Sequence, residues 1–276
     1  MITGATRVAA VIGSPVRHSL SPALHNAAFA QLGLDWVYTA FDVSHGEAQA
    51  ALDAMRTLRL SGLSVTMPHK EAVASAVDSL DPAAAALRSV NTVVPQADGS
   101  LKGYSTDGAG FVASLAAAGV AVVDRTVCVL GAGAAARSII DALGRAGAVR
   151  VAVINRTAAT AEEAAMLAGA AGIVGMLADV GAAHIVVNAT TVGMGGDELP
   201  CDPSWLHAGQ VVADIVYHPR DTALLRAARS AGATVVEGMG MLVHQAALQQ
   251  QLWHGLLPDA AVMAAAAEQE LAARRQ

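Results

Sequence analysis

Residues 127–137 read Val-Cys-Val-Leu-Gly-Ala-Gly-Ala-Ala-Ala-Arg, a short apolar run that meets two glycines and then an alanine-rich stretch. The run is short and valine-rich, so it reads as a buried strand, and alanine carries the segment beyond it into a helix. Gly131 permits the tight turn between the two, and Gly133 lets another group approach the backbone. The small side chains at 134–136 let the helix lie close to the strand, with Ala136 where a third glycine is usual. Strand, glycine turn and helix in that order commit the chain to an α/β architecture.

The rest of the sequence alternates in the same way. Strands are expected at 7–13, 36–43 and 60–66, and again at 127–130, 151–154, 185–187, 211–216 and 234–237. Helices are expected between them, as for mostly parallel sheets. Ser21-Pro22 opens a helix to about residue 32, with Ser21 as N-cap and Pro22 at the first helical position. Segments 91–95 and 101–104 flank Ala-Asp-Gly-Ser, a turn signal for a hairpin. Residues 107–118 read as a helix ended by Gly119, and from Gly240 the chain is helical almost to its end, interrupted at Pro258. The alanine-rich 260–267 segment is expected to pack on the first part of the chain.

The helix start at 134 exposes N–H groups that attract an anion. With the glycine turn before it, this fits a dinucleotide pyrophosphate cradled by Gly131, Ala132, Gly133, Ala134 and Ala135. Ala134 stands where a further glycine is frequent, which requires a negative φ there. The next strand decides which dinucleotide. An acid at its end would hold ribose hydroxyls, but this chain has Asn155-Arg156-Thr157. Arg156 offers a planar cation to a 2′-phosphate and Thr157 a hydroxyl beside it, so NADP is the expected cofactor.

Bulk properties narrow the partners. The 276 residues leave room for two domains, and 54% hydrophobic against 14% charged residues excludes disorder. A net charge of −6 argues against nucleic acid. The two cysteines, Cys128 and Cys201, and the nine histidines have no metal-ligand spacing, so no metal is expected and a reduced, cytoplasmic setting is. The most apolar stretch, 108–123, is rich in alanine and glycine and too short for a span of roughly 20 strongly apolar residues. No signal-peptide pattern opens the chain. The sequence leaves a monomer and a homodimer equally open.

A second cluster carries chemistry. Lys70 follows Val65-Thr66-Met67-Pro68-His69 at an expected helix start, where the partial positive charge of the backbone makes a lysine electrostatically misplaced. Asp107, in Ser105-Thr106-Asp107-Gly108, puts a carboxylate at another strand-to-helix junction. Small polar residues stand around them: Ser19, Ser21, Thr66 and Asn91. A cation, an anion, hydroxyls and amides make a proton-transfer site for a polyhydroxylated small molecule.

The chain resembles the shikimate dehydrogenase family along nearly its whole length. The resemblance rests on Val11-Ile12-Gly13-Ser14-Pro15-Val16-Arg17-His18-Ser19-Leu20-Ser21-Pro22, on Val65 to Lys70, on Val90-Asn91-Thr92 and on Ser105 to Gly108. It continues with the glycine loop, Asn155-Arg156-Thr157, Asn188-Ala189-Thr190-Thr191-Val192-Gly193-Met194, Asp214-Ile215-Val216-Tyr217 and the segment from Gly238 to Gln245. It implies reversible NADPH-dependent reduction of 3-dehydroshikimate to shikimate, on the route through chorismate to aromatic amino acids. It implies a substrate domain of residues 1–107 and 239–276 and an NADP-binding Rossmann domain of residues 108–238. By matching position, Ser19, Ser21, Thr66, Lys70, Asn91, Asp107, Tyr217 and Gln245 would bind the substrate. Ile215 and Gly238 would line the nicotinamide side. Lys70 would be the proton donor, with Asp107 positioning it, and His69 would be structural. Ser64 and Ser105 depart from the family, which commonly has Asn at both positions.

Three other readings stay open at this level. One is a quinate or shikimate dehydrogenase using NAD, and another a paralogue acting on a different cyclic hydroxy acid. The third is a non-catalytic NADP-binding module, against which the Lys70 and Asp107 pair counts.

Overall fold

The computed structural model describes residues 1–274. Its elements follow in chain order as β1 (Arg7–Gly13), α1 (Ser21–Gln31), β2 (Trp36–Asp42), α2 (Ala48–Thr57), β3 (Gly62–Val65), α3 (Lys70–Ala76), β4 (Ser79–Leu80), α4 (Pro82–Leu87), β5 (Thr92–Pro95) and β6 (Leu101–Tyr104). Then come α5 (Asp107–Ala117), β7 (Thr126–Leu130), α6 (Ala134–Arg145), β8 (Arg150–Ile154), α7 (Ala158–Ala165), β9 (Gly172–Val174), α8 (Ala178–Ala182), β10 (Ile185–Asn188), β11 (Val211–Asp214), α9 (Ala223–Ser230) and β12 (Thr234–Val236). Helices α10 (Gly238–His254) and α11 (Ala260–Ala273) close the chain. Contacts divide it into two compact units, residues 1–106 with 245–276 and residues 107–244. No described helix is long and apolar enough to cross a membrane.

The first unit is built on a six-stranded sheet in the order β2-β1-β3-β5-β6-β4. β1 pairs in parallel with β2 and β3, and β4 with β6, whereas β5 runs antiparallel to both β3 and β6. The expected hairpin is the β5–β6 pair, closed by Gln96 N–H donating to the Ser100 carbonyl at 2.8 Å with Gly99 at φ +86°. One face of the sheet buries Leu52, Met55, Leu63, Val73 and Leu101, and the other holds Val11, Phe29, Tyr38 and Trp253. Helix α11 lies against α1, and Arg274 beyond it donates to the carbonyls of His18 and Ser19 at 2.8 and 3.1 Å.

The second unit holds six parallel strands in the order β12-β11-β10-β7-β8-β9. Chain order reverses between β7 and β10, and in doubly wound sheets ligands bind beyond the carboxyl ends of strands at such a reversal. β7 is apolar from Val127 to Leu130, where both of its faces are covered. Val127 and Val129 meet Ile139, Ile140 and Leu143 of α6 on one side, and Cys128 and Leu130 meet Val180 and Leu224 on the other. Cys128 and Cys201 are free and buried, and burial pushes their thiols up to about 12 and about 11. They are quiet packing groups at neutral pH.

Two expectations need correction, and two short strands were not expected. Ser21 is not the N-cap of α1: Leu20 takes that position, and Ser19 Oγ accepts the Ser21 N–H at 3.2 Å. The strand expected at 211–216 stops at Asp214, which frees Ile215 to Tyr217 as a loop. β4 and β9, two and three residues long, have too little pattern to be read from sequence.

Candidate active site

In the first unit the loops after β1 and β3 are stitched together. Thr66 N–H donates to the Ile12 carbonyl at 2.9 Å, and Ser14 N–H to the Met67 carbonyl at 3.0 Å. A Cβ on Gly13 would lie 2.4 Å from Thr66 Cγ2, so glycine is what lets β1 end against Thr66. The next residues carry α3. His69 is buried, and its Nε2 donates to the Val43 carbonyl at 2.8 Å, so it anchors the loop. Lys70 is the first residue of α3 and is half-buried; its carbonyl accepts the Val90 N–H at 3.0 Å, which seats it beside Asn91.

Asn91 lies at the centre of a buried hydrogen-bond network. Its Oδ1 accepts the Thr106 N–H at 2.9 Å and the Thr92 hydroxyl at 2.8 Å. Its Nδ2 donates to Thr106 Oγ1 at 2.9 Å and reaches Gln245 Oε1 at 3.5 Å, while Thr106 Oγ1 donates to the Gln245 carbonyl at 3.1 Å. The first unit thus brings together Asn91 from the β5 entry and Gln245 from α10, two of the residues singled out from sequence. Ser19 and Ser21 stand together at the start of α1, both half-buried. Ser64, where the family commonly has Asn, is buried, and its Oγ accepts a hydrogen bond from Tyr38 Oη at 2.7 Å. Ser105 follows β6 and is half-buried.

In the second unit the two loop glycines have different physical reasons. Gly131 has φ +109°, and a Cβ there would lie 2.8 Å from the Ala189 carbonyl oxygen. Gly133 has an ordinary φ of −74°, caps α6 without any side-chain bond, and a Cβ on it would meet nothing within 4 Å. The space in front of Gly133 and the first turn of α6 is therefore open, which fits a phosphate group. Ala132 is buried, whereas Ala134 and Ala135 are exposed and half-buried. Ala134 is not among the positive-φ residues, as the missing glycine requires. Gly131 N–H donates to the Ile154 carbonyl at 2.8 Å, so Asn155, Arg156 and Thr157 emerge beside the loop. Asn155 Nδ2 donates to the Thr157 carbonyl at 3.2 Å, and Arg156 is exposed with no ion-pair partner among the described residues.

Beyond β10 and β11 a buried carboxylate holds the loops. Asp214 Oδ1 accepts from Asn188 Nδ2 at 2.9 Å and from the Val216 N–H at 3.0 Å, and Oδ2 accepts the Thr222 hydroxyl at 2.7 Å. Burial raises its pKa, and the hydrogen bonds from Thr222, Val216 and Asn188 oppose that shift. This arrangement fixes the backbone of Ile215 and Val216. Gly238 lies directly against it: a Cβ there would come within 2.5 Å of the Ile215 carbonyl oxygen. Ile215, Tyr217 and Gly238 thus share one region of the second unit, with Tyr217 half-buried. Asp107 is the first residue of α5 and half-buried, and Gly108 after it lets α5 approach the Ser138 carbonyl, which a Cβ would overlap at 2.0 Å.

Sequence reasoning missed Tyr38, Gln249, Gln250 and His25, and gave Asn188 and Asp214 no role. A spacing signal was available: Gln245 and Gln249, like Ser21 and His25, are four apart and so share a helix face. Among the described residues no group of three or more His, Cys, Asp or Glu side chains could hold a metal.

Comparison with known proteins agrees with this architecture. Residues 11–93 match the shikimate dehydrogenase substrate binding domain, and residues 238–268 match the shikimate 5′-dehydrogenase C-terminal domain. The chain is 43% identical over 274 residues to the shikimate dehydrogenase (NADP(+)) of Moorella thermoacetica, covering 95% of this chain and 92% of that one. It superposes with a TM-score of 0.89 and 38% identity on shikimate 5-dehydrogenase from Thermus thermophilus in complex with NADP(H) and shikimate, covering 95% of this chain and 99% of that one. A 5-ketofructose reductase of Gluconobacter superposes equally well, with a TM-score of 0.89 at 30% identity, over 97% of this chain and 99% of that one. Near-complete coverage at such identity, on top of the two glycine-built loops and the Asn91 network, leaves one conclusion: the chain belongs to the shikimate dehydrogenase family.

Proposed function

We propose that the protein catalyses the reversible, NADPH-dependent reduction of 3-dehydroshikimate to shikimate, within chorismate and aromatic amino-acid biosynthesis, in the cytoplasm. The observation that carries the substrate half is the convergence of Asn91 and Gln245, 154 residues apart, in one buried network next to the Lys70 backbone. Buried amides held this rigidly suit a ring bearing several hydroxyls, because an unmatched ligand would leave them unpaired. Residues 1–107 and 239–276 serve as the substrate domain, with Ser19 and Ser21 offering hydroxyls to the carboxylate and Thr66, Asn91, Tyr217 and Gln245 holding the ring.

Residues 108–238 would hold NADP(H), whose reduced form, when bound, would supply the hydride and whose oxidised form would take it back in the reverse direction. Gly131 to Ala135 meet the pyrophosphate, Asn155, Arg156 and Thr157 meet the 2′-phosphate side, and Ile215 and Gly238 border the nicotinamide. Open space at Gly133 and the exposed cation of Arg156 support this assignment. Lys70 gives a proton to the carbonyl oxygen as it becomes a hydroxyl, and takes it back in the reverse direction. Asp107 orients the Lys70 ammonium and a substrate hydroxyl.

The test is initial rates with shikimate and with quinate, each offered NADP or NAD. Turnover confined to shikimate with NADP is the expected result. Stronger turnover of quinate with NAD would move the protein to the oxidative branch of the family, and no turnover of either would refute the substrate assignment.

A further inference from the structure

Behind Asn91 runs a chain of buried polar groups with only one self-consistent proton order. Tyr38 is 2% exposed, Ser64 5% and Gln249 2%. Ser64 Oγ lies 2.7 Å from Tyr38 Oη and 2.7 Å from Gln249 Oε1, and Gln249 Nε2 lies 3.2 Å from the Asn91 carbonyl. That carbonyl can only accept, so the Gln249 amide must turn its Nε2 toward it and its Oε1 toward Ser64. An amide oxygen has no proton to give, so Ser64 donates to it. The Ser64 proton is then committed, and Tyr38 must donate to Ser64. Every donor points one way, from Tyr38 to the backbone of Asn91.

Both ends of this chain meet residues assigned to the substrate. At one end the Tyr38 hydroxyl is near enough to Ser21 for that side chain to oppose the rise in its pKa that burial causes. At the other, Gln249 grips Asn91 from one turn along α10 beyond Gln245, which meets the same asparagine. The Tyr38 ring is held in place by His25, stacked at 4.1 Å and 14°, and His25 Nδ1 in turn accepts from Gln250 Nε2 at 3.0 Å.

We propose that Gln249, acting through Ser64 and Tyr38, is a positioning residue that sets the affinity for substrate by fixing Asn91 at one end of a hydrogen-bonded chain whose other end, Tyr38, borders Ser21. The inference rests on the functional reading above. It also explains Ser64: a serine at that position is spent inside the network, and Gln249 supplies the amide that the asparagine common in the family would bring.

The experiment measures KM for shikimate, KM for NADP, kcat and direct NADPH affinity for wild type, S64A, Q249A, S64A/Q249A and S64N/Q249A. Loss of Gln249 takes the acceptor from the Ser64 hydroxyl and removes one of two hydrogen bonds to the Asn91 carbonyl, which keeps the Val65 N–H at 2.8 Å, so Q249A should raise the shikimate KM about tenfold. The NADP KM, NADPH affinity and kcat should stay within about twofold, since those groups lie in the other unit or at Lys70. S64A removes one oxygen and is the variant safest for folding; it should share most of this effect, and S64A/Q249A should be no worse than Q249A alone, as for one unit. S64N/Q249A should recover most of the lost affinity, because one asparagine then offers both an acceptor and a donor. Additive effects of S64A and Q249A, an unchanged shikimate KM in either, or no recovery in S64N/Q249A would overturn the proposal. Wild-type protein inactive on shikimate would instead refute the functional reading itself.

Discussion

Lowering the pH from 7 to 5 is expected to cost the first unit about 2 kcal/mol through His25 alone. The imidazole is 0% exposed, and burial holds its pKa down at about 3 against an ordinary value of 6.5. The charge of His254 pushes the same way, and the neighbouring Gln249 amide offsets only part of the effect. A histidine with a depressed folded pKa binds fewer protons folded than unfolded. Its contribution is therefore intact above pH 6.5 and is lost as pH falls from there toward 3. At pH 7 the unfolded chain gains roughly 0.2 kcal/mol from protonating this group, and at pH 5 about 2 kcal/mol, which is the stated difference.

The structure gives the reason why the proton is refused. Nδ1 already accepts from Gln250 Nε2, whose Oε1 lies 3.1 Å from His254 Nε2, so a proton on Nδ1 would face another donor. Nε2 has no hydrogen-bond partner among the described residues to stabilise a cation. Urea titrations at pH 7, 6 and 5, followed by tryptophan fluorescence, would measure the effect, since Trp253 lies 5.3 Å from the His25 ring. Wild type should lose about 2 kcal/mol more than His25→Asn over that range. Equal losses in the two proteins would refute the reasoning, whatever the absolute stability of the variant.

Three further outcomes are expected. Lys70→Met should lower kcat by about 10²–10⁴-fold while NADPH affinity is retained, and a variant keeping most of kcat would remove Lys70 as proton donor. Arg156→Ala should weaken NADP about tenfold or more and leave NAD unaffected, because only the 2′-phosphate loses its charged partner; equal losses for both cofactors would contradict that role. Gly238→Ala should destabilise by about 1–3 kcal/mol, because its Cβ would sit 2.5 Å from the Ile215 carbonyl, and an unchanged melting temperature would mean that this loop yields freely.

What was legible from sequence was what local pattern encodes. The glycine turn at 131–133, the hairpin at 97–100 and the alternating strands carry their own signals, and the structure has them. The residues of the Asn91 network were legible only in part. Asn91 and Gln245 sit in motifs of the family, but Ser64 and Gln249 are 185 residues apart, and nothing local to either says that they meet. The Ser21 cap failed for a related reason: two serines and a proline can start a helix in either of two registers, and in the fold Leu20 caps α1 while Ser19 Oγ accepts the Ser21 N–H. Asp214 has no task legible in its motif, since a buried carboxylate with its donors around it looks in sequence like any strand-end aspartate.

The discontinuous first unit has a consequence for how the protein is made. Gly62 lies in the middle of the first sheet, and it is a glycine because the Trp253 indole occupies the place of its side chain, 2.5 Å from a Cβ there. The indole also donates to the Val93 carbonyl at 3.2 Å, so the sheet is incomplete without it. During synthesis residues 1–106 leave the ribosome first, but Trp253 emerges 147 residues later, a wait of roughly 7–30 s at ordinary elongation rates. For that interval the nascent sheet carries an open slot beside Gly62 while the whole second unit is free to fold. The unit that starts folding first is therefore the one that finishes last, and the nascent protein passes through a stage in which its second unit is complete and its first is not.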